Sequence, residues 1–231
     1  MTHLMLIPSP FLGSAVWEPV ASLLRRDGCS VNVATFPTAP RRPGDVIDAL
    51  LSQFPEATPV LVPHSNAGLY VAAVAAQLPL AGIVFVDALI PAPDESTPVA
   101  ADDFARAMGA LADSDGLLPP WTRWWPEEAT SGLFPDPRTR TVVEAQQHRL
   151  PADYLEQSVP SPPGWDQTRA SYLGFGDTYA EEQSAAAARG WPVRNLPGRH
   201  LHMLIDPPAV ATAIRSLAEP SDVHSRRSTG V

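Results

Sequence analysis

The sequence predicts an α/β protein: a mostly parallel six-stranded sheet flanked by helices, with a helical lid inserted after the fourth strand. Three observations predict it. Short apolar runs alternate with helical patterns through the first part of the chain. The alternation stops in a middle segment rich in proline and tryptophan, and it resumes before the C-terminus. Continuous apolar strands separated by helices of this length imply βαβ units whose sheet is covered on both faces.

Leu4-Met5-Leu6-Ile7 reads as the first strand, stopped by Pro8. Val16 to Arg26 has helical spacing. Ser30 to Thr35 carries Val31 and Val33 and reads as the second strand, ended before Pro37. Gly44 to Phe54 is a helix, Thr58 to Val62 a third strand, and Ala67 to Gln77 an alanine-rich helix. Ala81 to Val86 is the fourth strand. The segment from Asp87 to Gln167 holds twelve of the 27 prolines, together with Trp121, Trp124, Trp125 and Trp165. Proline donates to neither a helix nor a strand ladder, so this stretch reads as a lid with short helices at Asp102 to Leu111 and Arg138 to His148. Arg169 to Phe175 and Trp191 to Leu196 are the last strands, and Tyr179 to Arg189 and Pro207 to Leu217 the last helices. The domain reading is therefore a core of 1–87 and 168–218, a lid of 88–167 and a flexible polar tail of 219–231.

Composition limits the function. The 231 residues are 45% hydrophobic and 18% charged, enough for one large domain with a real core. A net charge of −9 without a basic stripe argues against nucleic acid as partner. No apolar run reaches the length of a membrane span, and the N-terminus lacks the pattern of a signal peptide. A single cysteine, Cys29, excludes an internal disulfide and a cysteine-cluster metal site. His200 and His202 lack a third ligand nearby, and Asp102-Asp103 and Asp113 to Asp115 lack the spacing of a calcium loop, so no metal is expected. The expectation is a soluble cytoplasmic protein with a small-molecule or protein partner; the oligomeric state is left open. All 16 basic residues are arginine, which with abundant alanine and proline suits GC-rich coding and a bacterial secondary-metabolism enzyme.

The strongest chemical signal is Val62-Pro63-His64-Ser65-Asn66-Ala67-Gly68, between a strand and a helix. Serine in a tight strand-to-helix turn presents its hydroxyl above the sheet edge. The following N–H, here that of Asn66, faces the same space and can bind an oxyanion. The plainer role for Ser65 is a helix cap. The later Gly198-Arg199-His200 loop favours chemistry, because a serine nucleophile needs a base and imidazole has the right pKa. His202 is the structural histidine of the two. The acid that would orient His200 is Asp177, after the fifth strand, or Asp87, after the fourth; the order serine, acid, histidine puts Asp177 first. Asp177 has a capping role as its alternative, and Asp87 a role in holding the lid's first turn.

Through these residues the chain resembles the α/β-hydrolase superfamily over nearly its whole length. The opening Leu6-Ile7-Pro8-Ser9-Pro10-Phe11-Leu12-Gly13-Ser14-Ala15-Val16-Trp17, and Phe85 to Pro91, resemble the methyl-esterase and hydroxynitrile-lyase branch. The resemblance implies ester or related acyl hydrolysis without a cofactor. Pro8-Ser9 stands where the branch has a His-Gly-like pair, and Pro10 falls where its second oxyanion donor is expected. Proline has no N–H, so the role passes to the Phe11 N–H or the Ser9 hydroxyl, or the hole is incomplete. Ser9, His64, Trp121, Trp124 and Trp125 are the residues expected to touch substrate. The tryptophans favour an apolar or aromatic one, with lid packing as their other role. A serine hydrolase of esters, thioesters or lactones is thus the first reading. A lyase, cyclase or isomerase with His200 as acid/base is the second, and a ligand-binding receptor the third.

Overall fold

The computed structural model describes residues 1–93 and 95–219. The expected flexible tail lies, from residue 220 onward, outside the described residues. In chain order the core opens with β1 (His3–Ile7), α1 (Glu18–Arg26), β2 (Ser30–Val33), α2 (Pro43–Ser52), β3 (Val60–Ser65), α3 (Val71–Ala75) and β4 (Gly82–Ala88). The insertion contributes β5 (Ser96–Pro98), α4 (Asp102–Gly109), α5 (Glu127–Thr130), α6 (Pro137–Glu144) and β6 (Ser158–Pro160). The core closes with β7 (Ala170–Phe175), α7 (Ala180–Ala188), β8 (Val193–Leu196), α8 (His202–Ile205) and α9 (Pro207–Ala218).

The main sheet has the order β2-β1-β3-β4-β7-β8. All its pairings are parallel. The central strands β3, β4 and β7 are buried at every residue, while the edge strands β2 and β8 are largely open. Side chains alternate between two apolar layers, as a period of two requires. Met5, Ile7, Leu61, Ile83, Phe85 and Tyr172 face α2, α3 and the insertion. Leu4, Leu6, Val60, Val62, Val84, Val86, Leu173 and Phe175 face α1 and α9. The continuous apolar runs seen in the sequence are strands buried on both sides.

Local chemistry fixes the ends of these elements. Asp206 caps α9 by accepting the Ala209 N–H at 3.0 Å, and Pro207 and Pro208 occupy positions where no N–H is needed. Arg169 reaches from the start of β7 to the other end of α9. It donates to the carbonyls of Leu217, Ala218 and Glu219 at 3.1, 2.6 and 3.2 Å, three of the acceptors a helix end leaves unpaired.

Two features, one in the insertion and one in the core, differ from the sequence expectation. Ser96–Pro98 and Ser158–Pro160 form a two-stranded antiparallel ribbon that the sequence pattern does not announce. Each strand is only three residues long and ends in proline, too short for a period of two to show, and the pairing is made by partners far apart in the chain. Ala67 to Gln77 is also not one helix: a 3₁₀ turn over Asn66–Tyr70 precedes the short α3. The backbone there serves the turn at Ser65. The insertion packs onto the core, with Val99, Leu118, Trp124, Leu150, Tyr154 and Leu155 in the same apolar layer as Met5 and Phe85.

Candidate active site

Ser65 is the last residue of β3, and its backbone has φ 60° and ψ −130°, a conformation a non-glycine residue rarely holds. Its neighbours enforce it. The Ser65 carbonyl accepts the Leu89 N–H at 3.1 Å, at the point where the β3–β4 register slips. Gly68 lies against the same strand end: a Cβ there would sit 1.9 Å from the Leu89 carbonyl oxygen. Glycine at 68 thus permits the close approach, and Asn66 opens the 3₁₀ turn, where backbone N–H groups have no partner inside the helix.

His200 follows β8 and Asp87 is the penultimate residue of β4, one strand beyond β3. His200 Nε2 is 3.0 Å from Ser65 Oγ, and His200 Nδ1 is 2.6 Å from Asp87 Oδ2. Asp87 is fully buried and also has positive φ, at 43°. Its other oxygen accepts the Phe175 N–H at 3.0 Å. A carboxylate held from two directions makes His200 donate through Nδ1, which leaves Nε2 to accept the serine proton.

The first-ranked acid, Asp177, is not at His200; the structure corrects that expectation. Asp177 is exposed in the turn before α7, and its carbonyl accepts the Ala180 N–H at 3.3 Å. The turn at Gly176, with φ 62° and the Gly198 carbonyl packed against it, carries the chain past His200 before Asp177 is reached. What the segment brings to Ser65 is Tyr179, whose hydroxyl is 3.3 Å from Oγ. No motif singles out Tyr179; its one signal is an aromatic residue two places after an acid candidate.

His64 and Ser9 do not line the cavity, contrary to the expectation that they touch substrate. His64 is fully buried, stacked on the His200 ring at 4.5 Å between centroids, with Trp17 edge-on at 6.0 Å. Its Nε2–H donates to the His200 carbonyl at 3.0 Å, and burial holds its pKa well below the usual histidine value. His64 is therefore a neutral ring that fixes the His200 backbone. Ser9 is buried beneath the first loop, where its Oγ accepts the Phe11 N–H at 3.4 Å. His202 is buried against Phe175, 5.5 Å between ring centroids.

A cavity of about 740 Å³ opens above Ser65 and His200. Phe11, Phe104, Trp121, Trp124, Trp125 and Tyr179 are its aromatic walls. Trp121 stands 5.8 Å from the His200 ring, and Phe11 meets Trp124 edge-on at 5.0 Å. Asn66 joins the turn to the insertion: its Nδ2 donates to the Val99 carbonyl at 3.1 Å, and its Oδ1 accepts from Tyr70, which is hydrogen-bonded to Tyr154. Among the described residues no group of three or more His, Cys, Asp or Glu is arranged to hold a metal ion. Nor is any helix among them long and apolar enough to cross a membrane.

Comparison with solved structures places the fold. An extracellular α/β-hydrolase from a Paenibacillus species, described as sharing structural and functional homology with tobacco salicylic acid binding protein 2, superposes with a TM-score of 0.74. The two are 16% identical over 95% of this chain and 100% of that one. The chain has the α/β-hydrolase fold. Polyneuridine aldehyde esterase shares this fold at a TM-score of 0.69 and 15% identity, over 95% of this chain and 100% of that one. Tomato methylketone synthase I shares the α/β-hydrolase fold at 0.70 and 16%, over 94% and 97%. No protein-family model matches the chain, and no curated protein matches it by sequence.

Proposed function

We propose that this protein is a serine hydrolase of esters or related acyl compounds with an apolar or aromatic substrate. The observation that carries the reading is the unbroken chain Ser65–His200–Asp87, with contacts of 3.0 and 2.6 Å at the floor of an aromatic cavity. Ser65 Oγ attacks the carbonyl carbon as its proton passes to His200 Nε2. Asp87 keeps the imidazole oriented and stabilises the imidazolium. His200 then gives the proton to the leaving oxygen, and water completes the cycle by the same route. The Asn66 N–H is the first oxyanion donor and the Phe11 N–H the second. Esterases and a pyrethroid hydrolase among the similar folds support the reaction class. A cytoplasmic setting belongs to this reading and rests on composition, with Cys29 the sole cysteine.

One observation favours a second reading. The Phe11 N–H faces Ser9 Oγ, and Pro10 supplies none, so the oxyanion hole has one weakly engaged donor on that side. Chemistry that forms no tetrahedral oxyanion, with His200 as acid/base, does not need it.

A fluorophosphonate probe, read by intact mass on wild type, Ser65→Ala and His200→Ala, tests the proposal. Stoichiometric labelling of wild type that is lost in both variants is expected. A folded wild type that takes no label, and hydrolyses no member of an aryl and alkyl ester panel, overturns it in favour of the second reading.

A further inference from the structure

The Ser65 hydroxyl has a second neighbour besides His200, and nothing in the steps above uses it. Tyr179 places its hydroxyl 3.3 Å from Oγ, and its ring lies tilted against His200 at 5.4 Å between centroids. Tyr179 is half-buried and lines the cavity. Burial pushes the phenol far above its ordinary pKa, so it remains a neutral O–H at working pH.

Topology says which side of the serine this is. β1 lies on one flank of β3, and β4 and β7 on the other. Phe11 follows β1 and Tyr179 follows β7, so they reach Ser65 from opposite flanks. Tyr179 is thus not a spare oxyanion donor. It stands beside His200, the group that in the reading above protonates the leaving oxygen and deprotonates the water.

We infer that Tyr179 is a catalytic hydrogen-bonding residue that holds Ser65 Oγ at rest and the hydrolytic water during deacylation. The inference rests on the serine-hydrolase reading above. At rest Ser65 donates to His200 Nε2 and Oγ accepts from Tyr179. During acylation the Oγ–carbon bond forms and the Oγ proton moves to Nε2. The bond from carbon to the alcohol oxygen then breaks, and that oxygen takes the proton from Nε2. Oγ is now an ester oxygen and a poor acceptor, so the Tyr179 hydroxyl turns to the incoming water. Water bonds to the acyl carbon and gives one proton to Nε2. The carbon–Oγ bond breaks and Oγ regains that proton. Tyr179 transfers no proton; it fixes the water between itself and Nε2.

Tyr179→Phe removes one oxygen and keeps the ring. The substrate is 4-nitrophenyl butyrate, whose leaving group departs without protonation, so acylation is insulated from any help to the leaving oxygen. Stopped-flow mixing is expected to show a stoichiometric burst in the variant, kcat lower by about tenfold or more, and kcat/KM within about threefold of wild type. An unchanged kcat, or kcat and kcat/KM falling together, overturns the inference, because loss of structure alone slows acylation as well. Partitioning of the acyl-enzyme between water and added hydroxylamine is read on both proteins, since this ratio is independent of the fraction folded. A shift toward the hydroxamate of about threefold or more supports the inference, and an unchanged ratio overturns it. A wild type that neither takes the fluorophosphonate label nor turns over the ester overturns the hydrolase reading and this inference together. Normal labelling with normal Tyr179→Phe turnover overturns this inference alone.

Discussion

Asp87 Oδ2 meets His200 Nδ1 at 2.6 Å, tying the end of the fourth strand to the loop after the last one. The same carboxylate accepts the Phe175 N–H at 3.0 Å, so the acid is anchored to the sheet itself and not to a flexible turn. Loss of the carboxylate charge lets the imidazole adopt the wrong tautomer. Asp87→Asn is expected to lower kcat by about 10³–10⁴ while leaving KM within a few-fold. Asp177→Asn is expected to stay within about twofold of wild type, as surface substitutions away from a site do. Steady-state kinetics on the two variants, side by side, checks both; equal losses would contradict the assignment.

His64 gives a pH dependence whose sign follows from its burial. Its pKa in the folded state lies well below the ordinary value of 6.5, because burial disfavours the charged ring and His200 stands against it. Between those two values the unfolded chain binds more protons than the folded one, so stability falls as pH drops below about 6.5. The neutral ring's contribution is fully present above that pH. Urea unfolding at pH 7.5 and pH 5.5 is expected to show the loss in wild type. A smaller loss is expected in His64→Gln, which has no ring to protonate.

Gly68 tests the close approach that holds the serine turn. A methyl group there has no room, with the Leu89 carbonyl oxygen 1.9 Å away and backbone, not a movable side chain, in its path. Gly68→Ala is expected to destabilise the protein by about 1–3 kcal/mol, as overpacking typically does. It is also expected to lower the rate of fluorophosphonate labelling, because the strand end must move and Ser65 with it. Thermal unfolding and labelling rate, measured on the same sample, separate the two effects.

Trp121 tests the substrate preference. It lines the cavity and lies 5.8 Å from the His200 ring. Trp121→Ala is expected to raise KM for 4-nitrophenyl esters of aromatic acids by about tenfold, and to change the acetate ester by less than about threefold. The apolar area lost matters only to an acyl group large enough to reach it. An equal effect on both esters would place Trp121 in lid packing alone.

Much of the fold is legible in the sequence. The buried runs Leu4 to Ile7, Val60 to Val62 and Ile83 to Val86 have one stable arrangement, a parallel sheet covered on both faces. Ser65 and His200 are legible as candidates because each sits in a short motif whose spacing has a mechanical reason. Tyr179 and the Asn66–Tyr70–Tyr154 network carry no such local pattern, and single aromatics in helical or loop stretches read as core.

Local sequence is enough to give the alternation of strand and helix, the interruption between the fourth and fifth strands, and the turn that lifts Ser65 from the sheet. These follow from local periodicity, from proline and from glycine at crowded positions. Which acid meets His200 depends on long-range packing. In the sequence Asp87 and Asp177 both read as following a strand at the same sheet edge, and nothing local distinguishes them. The choice is made by the positive φ at Asp87, the Phe175 N–H that donates to its second oxygen, and the tight Gly176 turn that carries Asp177 to the surface. Each involves partners far apart in the chain. Their meeting is a property of the packed sheet, because a buried carboxylate persists only where two donors converge on it.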